Sequence, residues 1–459
     1  MKTLILTGAM LGALCIFPAT AADTPTGSPE PEPVATAEPV ATAEPVATAE
    51  PVATAEPAAT AEPTVTESQK PAKSWLTEPM SDPDVVSTSV KHHEEARTSE
   101  GKPKFSFKPM ARILADGAVY APDGNGFTDG VQLPDMRIGL SAAYGNWNAK
   151  VDVGFGGFKL SIKDVFIQYK INDKMLVRGG YFVHQFGLQS STSSSFKSAF
   201  EAPTTDDYLA ATARNLGIMY NLSLPKFFMG TSVIFGNSDN LTADGITRQS
   251  IGGVGRFVWR PIARDGAIVQ VGVSAWYQSP THKRGEDGKS QSGAFNLGAN
   301  FPTRVAKVKL LGADVTDAGN QLKLSPELLL CKDRVALESQ YYYMNINRIG
   351  RPAYQVQGAY AWLRCLILGD SRYSYSPWDA GIAIPKPRTL ELVAGYDYTN
   401  ASCKDIRGGI SSDYSVTLNY YFNKYMLARL GWRYTDVRDS SVSPKRHVNI
   451  IQLRLQFKF

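Results

Sequence analysis

The cationic side chains Arg178, Arg256, Arg260, Lys307, Lys309, Lys323, Arg429, Arg433 and Arg454 fall on the polar face of an alternating pattern, and Lys197 lies in a long insertion between two such runs. A guanidinium grips an oxyanion in a two-pronged fork, whereas an ammonium acts as a compact point charge. Both, lining a confined space, offset the partial dehydration of an anion with charge-assisted hydrogen bonds. Taken singly, each of these charges reads equally well as a group merely solvated by water. The collective excess carries the argument, because residues 101–459 hold 43 basic and 28 acidic side chains while residues 22–100 hold 4 and 15.

Other constellations point to different chemistry. A barrel-borne hydrolase needs a serine and histidine pair, or paired acids with a histidine. Beyond residue 104 the histidines are His184, His282 and His447, and His184 precedes Asp206 and Asp207 by some twenty positions, an arrangement that reads as surface decoration far more often than as a catalytic set. The run from Gly154 to Lys159, GFGGFK, has the glycines of a phosphate cradle, yet it joins two strands with no helix after it, so a β-turn is expected. Cys331, Cys365 and Cys403 are too widely spaced for a zinc pattern and allow at most one internal disulfide. No metal and no cofactor is expected.

The elements that must hold the cations are strands. In the last thirteen residues, 447–459, Ile451, Leu453, Leu455, Phe457 and Phe459 alternate with Gln452, Arg454, Gln456 and Lys458. The same period of two places Trp147, Ala149, Val151, Val153 and Phe155 opposite Lys150 and Asp152, and Leu390, Leu392, Ala394, Tyr396 and Tyr398 opposite Glu391 and Asp397. Val416, Leu418, Tyr420 and Phe422 oppose Ser415, Thr417 and Asn419, while Met426, Ala428, Leu430, Trp432 and Tyr434 oppose Arg429 and Arg433. Aromatics gather near strand ends, at Tyr341 to Tyr343, Trp362, Tyr396, Tyr398, Tyr420, Tyr421, Trp432 and Tyr434, as interfacial girdles do. At ~10 residues per membrane-crossing strand, residues 105–459 suit a closed antiparallel barrel of about 16 to 18 strands, apolar outside, with a water-filled lumen.

The longest insertion in the first half spans residues 185–212 and carries a run of hydroxyls from Ser190 to Ser195, then Lys197 and Glu201. Two readings stay open for it: a loop folded into the lumen that narrows it, and an exposed outer loop.

The amino terminus reads as an export signal, residues 1–21, with Lys2, an apolar run from Leu4 to Phe17 and a small-x-small site at Ala19 and Ala21. Cys15 raises lipidation as an alternative, opposed by the bulky Leu14 before it. Residues 22–104 read as a disordered acidic linker, in which PVATAE repeats from Pro33 and proline blocks helix every sixth residue. Export places the linker in the periplasm and makes nucleic acid an unsuitable partner for the basic domain.

The chain resembles the phosphate-selective porin O and P family. The likeness lies in RGGYFVHQFGLQSS at residues 178–191, in the Ala199, Phe200, Glu201, Ala202 and Pro203 positions, in ARNLGI at 213–218, in GAYAWLRCLILGDSRYSY at 358–375 and in the closing hairpins from Arg388 to Phe459. The resemblance implies a 16-stranded outer-membrane barrel, a homotrimer, small inorganic anions such as phosphate as solutes, contact with outer-membrane lipid, and barrel assembly directed by the terminal Phe459. A general diffusion porin, a barrel hydrolase and a structural or adhesive barrel are the alternative readings.

Overall fold

A computed structural model of the protein describes residues 74–122, 126–210, 214–236 and 245–459. The expected signal peptide and the repeats through residue 73 lie outside the described residues. Sixteen antiparallel strands close into a barrel. In chain order they are β1 Phe105–Ala121, β2 Gly130–Tyr144, β3 Trp147–Gly154, β4 Ser161–Asn172, β5 Met175–Val183, β6 Arg214–Ser223, β7 Phe227–Ile234 and β8 Gly252–Arg264. The second half comprises β9 Ala267–Gln278, β10 Ala318–Lys332, β11 Val335–Arg348, β12 Tyr354–Leu368, β13 Thr389–Cys403, β14 Ile406–Tyr421, β15 Met426–Ser440 and β16 Arg446–Lys458. Closure comes from β1 lying antiparallel to β16, with Arg112 opposite Lys458 and Ala121 opposite Asn449. A closed ladder leaves no edge carrying unpaired N–H and C=O groups, which lipid could not satisfy.

The alternation read from the terminal strand holds residue by residue. Ile451, Leu453, Leu455, Phe457 and Phe459 are 44–56% exposed on the outer surface, whereas Gln452, Arg454, Gln456 and Lys458 are at most 4% exposed on the inner one. Phe459 completes the closure through its main chain, exchanging two 3.1 Å hydrogen bonds with Ala111. Its ring ends the outer apolar face at 53% exposure, and Phe459→Ala, which keeps the main-chain bonds and removes that ring, is expected to lower the folded, heat-modifiable fraction on gels and to leave the single-channel conductance of the folded fraction unchanged. A folded yield equal to that of the parent chain would contradict this role.

Four sequence expectations need correction. Lys307 and Lys309 do not sit on a barrel strand; they belong to the long connection between β9 and β10, where Phe295–Asn300 pairs with Lys309–Val315 in a separate hairpin. The aromatics do not all form girdles, since Tyr342, Trp362 and Tyr421 point inward at 1%, 2% and 4% exposure, while Tyr341, Tyr396 and Trp432 remain on the outer surface. Period two alone leaves open which face is outside where the opposite positions are also apolar, as around Tyr341 to Tyr343. The linker does not extend to residue 104: a helix, α1, Val86–Glu95, lies against the inner wall with Val86, Ser89, Val90, His92 and His93 buried, and Met80, Asp82, Val85 and Ala96 beside it are buried too, while residues 97–104 are exposed. The interior, finally, is not an open water-filled tube, because four segments pack into it: residues 78–96, 185–210 and 369–388, and residues 295–315, whose Pro302 carbonyl accepts from Gln452 and whose Thr303 meets Tyr120. Cys331, Cys365 and Cys403 are free thiols.

Candidate permeation pathway

A polar side chain facing the inside of a barrel must find water or a partner, and a desolvated charge without a partner is costly. Most of the inward cations are consequently committed. Arg256 forks onto Glu327 at 2.8 and 2.9 Å and donates to the carbonyls of Asp379 and Ala380 at 2.8 Å. Arg260 donates to the carbonyls of Pro377 and Leu224. Arg178 bonds Gln168 and Ser89 and lies 4.0 Å from the Phe166 ring centre. Lys323 is buried 5.2 Å from the Trp276 ring centre. Lys307 and Lys309 are exposed in the outer hairpin.

The 185–212 insertion folds into the lumen, which decides between its two readings as far as residue 210, the last one described there. Near its start Gly187, with φ 73°, brings its main chain so close to Gln340 that a Cβ would collide with that side chain. Its N–H donates to Ser274 at 2.9 Å, and Gln189 donates to Glu338 at 2.6 Å. The loop then crosses to the opposite wall. There Arg429 donates to the carbonyls of Lys197 and Phe200, and Arg454 to the carbonyl of Phe200 and to Glu201 at 2.5 Å. Arg433 holds the next stretch through the Ala202 carbonyl and Thr204. A short helix, α2, Thr204–Leu209, follows, with Asp206 accepting from Tyr342 at 2.7 Å and Tyr208 bonded to Tyr354 at 2.6 Å. At Gly358 a Cβ would strike Thr205, so this helix needs a glycine in the facing wall. Arg429, Arg433 and Arg454 thus fasten the constriction loop instead of standing free in the channel. Lys197 is itself tied to the Gln189 carbonyl.

Sequence reasoning missed two further segments. Residues 369–388, between β12 and β13, turn inward and supply the carbonyls that satisfy Arg256 and Arg260. Residues 78–96 reach into the lumen from the end of the barrel that carries the short turns. Asp84 meets Lys150 at 3.0 Å, Arg137 at 3.2 Å and Arg112 at 3.3 Å. Burial would raise the Asp84 carboxyl, but Lys150, Arg137 and Arg112 together hold it well below the usual carboxylate range. The signal that could have found this contact was the sign difference between an acidic amino-terminal stretch and a basic barrel, combined with the inward parity of Arg112 and Lys150.

Two chambers lie along the interior. One of about 220 Å³ is lined by Glu201, Thr204, Asp207, Thr303, Arg304 and Lys307 among others. A second of about 210 Å³ is bounded by Asp84, Arg137, Ser190, Thr192, Ser193, Ser194, Lys197, Asp206, Asp207 and Arg214. Ala202 and Asp207 border both, so the chambers meet at the constriction loop. The Asp207 side chain opens onto both chambers, and its enclosure within the barrel, reinforced by the neighbouring Asp206 and Glu201, pushes its carboxyl up to about 6. Below that pH the junction loses a negative charge, and above it regains one. Anion preference is therefore expected to rise as pH falls from about 7.5 to about 5, with a midpoint near 6, and Asp207→Asn should abolish the step; a pH-independent reversal potential in the parent chain would refute it.

His184 does not form a dyad with the loop acids: its Nε2 bonds the Asn215 carbonyl at 3.1 Å, while Asp206 accepts from Tyr342. GFGGFK is a turn, Gly156–Phe158, with Gly157 at φ 60°.

A closed sixteen-stranded barrel with an apolar outer face, a charged interior and an inward-folded loop is the architecture of an outer-membrane porin. The chain belongs to the phosphate-selective porin O and P family, whose sequence profile matches residues 110–459. A comparison with curated protein sequences finds no match. Among solved structures the fold is similar to OmpT, an outer membrane protein of Vibrio cholerae, in its in-vitro folded trimer form, at 10% identity and a TM-score of 0.51, covering 77% of this chain and 99% of that one. A loop L8 deletion mutant of OmpT gives 10% identity, a TM-score of 0.50 and the same coverage. The outer membrane channel DcaP of Acinetobacter baumannii is 13% identical over 79% of this chain and 99% of that one, with a TM-score of 0.46.

Proposed function

We propose that this porin conducts small anions by diffusion across the outer membrane, with phosphate or a similar oxyanion as the favoured class. The observation that carries the reading is the inner chamber. Arg137, Lys197 and Arg214 face it together with the hydroxyls of Ser190, Thr192, Ser193 and Ser194, a set of donors suited to an oxyanion that has shed part of its hydration. The outer chamber adds Arg304 and Lys307. The basic excess of the barrel domain is exposed at its rims, for instance at Lys307, Lys309, Arg372, Lys386, Arg388 and Lys445, where it raises the local anion concentration.

The acids in the same inner chamber, Asp84, Asp206 and Asp207, favour a second reading, a general diffusion pore of weak selectivity. Block of chloride current by added inorganic phosphate in planar bilayers separates the two. Block that is strong in the parent chain and weaker in Lys197→Gln supports the oxyanion reading; chloride current indifferent to phosphate supports the general pore. The family likeness further supports a homotrimer in outer-membrane lipid, assembled through the barrel-assembly machinery; the amino-terminal sequence supports cleavage of the leader after Ala21 and residues 22–73 as an acidic periplasmic spacer.

A further inference from the structure

Residues 78–96 make a re-entrant excursion with both ends at the same mouth of the barrel. Glu78 meets Lys424, in the turn between β14 and β15, at 3.0 Å. The chain then runs inward to Asp82 and Asp84, and α1 returns it to the mouth, where the Ala96 carbonyl accepts from Lys104 and Gly145. At the inner end Asp82 accepts from the Ser193 N–H of the constriction loop at 2.6 Å. The α1 N-terminus is capped from outside the segment, Asp379 accepting from Val86 and Ser87 at 3.0 and 3.2 Å.

The wall around Asp84 is one negative charge short without it. Arg112, Arg137, Lys150 and Arg214 face Asp135, Asp152 and Asp164 on the strands, and Asp84 supplies the fourth carboxylate. That carboxylate also borders the inner chamber, next to Arg137. The apolar contribution to holding the segment is small: Met80, Val86 and Val90 are its principal buried contacts, against Phe196 and Tyr421 and against Phe166, Phe182 and Met219. A segment with few apolar contacts and a charged anchor belongs to the low-stability end of a structure.

We propose that the Arg112, Arg137 and Lys150 cluster is an oxyanion site occupied by the chain's own Asp84, and that residues 78–96 form a tethered plug which an oxyanion in the inner chamber displaces. The site and the class of ligand rest on the anion-channel reading above; the occupancy by Asp84 does not. Because both ligands neutralise the same cations, each weakens binding of the other, and the coupling is reciprocal.

The test uses the full chain with its native cysteines replaced by serine and Val90→Cys added, since Val90 lies on α1 of the plug itself and is buried against Phe166, Phe182 and Met219 of the wall only while the plug is seated. Labelling by a water-soluble maleimide is followed with inorganic phosphate and with chloride at matched ionic strength. Labelling is expected to be slow in chloride and roughly fivefold or more faster in phosphate. Adding Asp84→Asn should make it fast in chloride as well. Labelling that ignores phosphate in the parent background overturns the proposal, as does fast labelling in every condition. A phosphate response in a channel that prefers cations would keep the tethered carboxylate and remove the anion-channel reading; an anion-preferring channel with a phosphate-silent label would do the reverse.

Discussion

Replacing Arg454 with glutamine is expected to raise single-channel conductance and to make the open level noisy. The guanidinium is fully buried and bonds Asp116 at 2.6 and 2.7 Å, Glu201 at 2.5 Å and the Phe200 carbonyl at 3.2 Å. Glutamine removes the charge and leaves two buried carboxylates facing each other across the gap between β1 and the loop. Breaking one side of a buried charge network costs about 3–5 kcal/mol, here paid chiefly by the docking of residues 197–201, because the wall is held by its ladder. The loop should leave the β14 to β16 wall and widen the constriction. A variant with the conductance and noise of the parent chain would show that Arg454 does not hold the loop.

The second large effect concerns Arg256. Its side chain and that of Glu327 are both fully buried, and it also satisfies two carbonyls of residues 369–388. Arg256→Met is expected to destabilise the folded barrel by about 3–5 kcal/mol, seen as a lower temperature for the shift from folded to unfolded migration on gels. The double variant with Glu327→Leu should recover most of that loss, since it removes the stranded charge as well. Equal losses in single and double variants would mean that the carbonyl contacts, and not the ion pair, dominate.

These expectations differ from what parity alone suggests. The sequence shows which way Arg429, Arg433 and Arg454 point, because period two is imposed by the pleat and by lipid on the other face. It does not show what meets them inside. Lys197, Phe200, Glu201 and Thr204 approach from a loop whose path depends on contacts more than 200 positions away, and no local pattern encodes such pairings. The closing strand and the inward parity of Arg178, Arg256, Arg260 and Lys323 were legible for the same local reason, whereas alternation alone allowed about 16 to 18 strands and the choice of 16 came from the family resemblance. Lys307 and Lys309 were misplaced because a hairpin in a long connection, with Leu310 and Leu311 buried against the barrel's inner wall, alternates just as a barrel strand does. The plug escaped notice because residues 74–104 follow directly on a proline-rich repeat with no apolar periodicity in its sequence, and α1 is only 10 residues long with two polar histidines, His92 and His93, on its buried side. His92 finds Ser141 and Ser106, and His93 finds Gln168, partners that exist only inside the barrel.

The sign of selectivity is the central claim, and the reversal potential in a potassium chloride gradient across a planar bilayer reads it directly. The account predicts a potential displaced toward the chloride equilibrium value at neutral pH, and further displaced as Asp207 is protonated. A potential at zero or displaced toward the potassium value would contradict it, and would mean that the acids of the inner chamber, not its arginines and Lys197, set the field along the path.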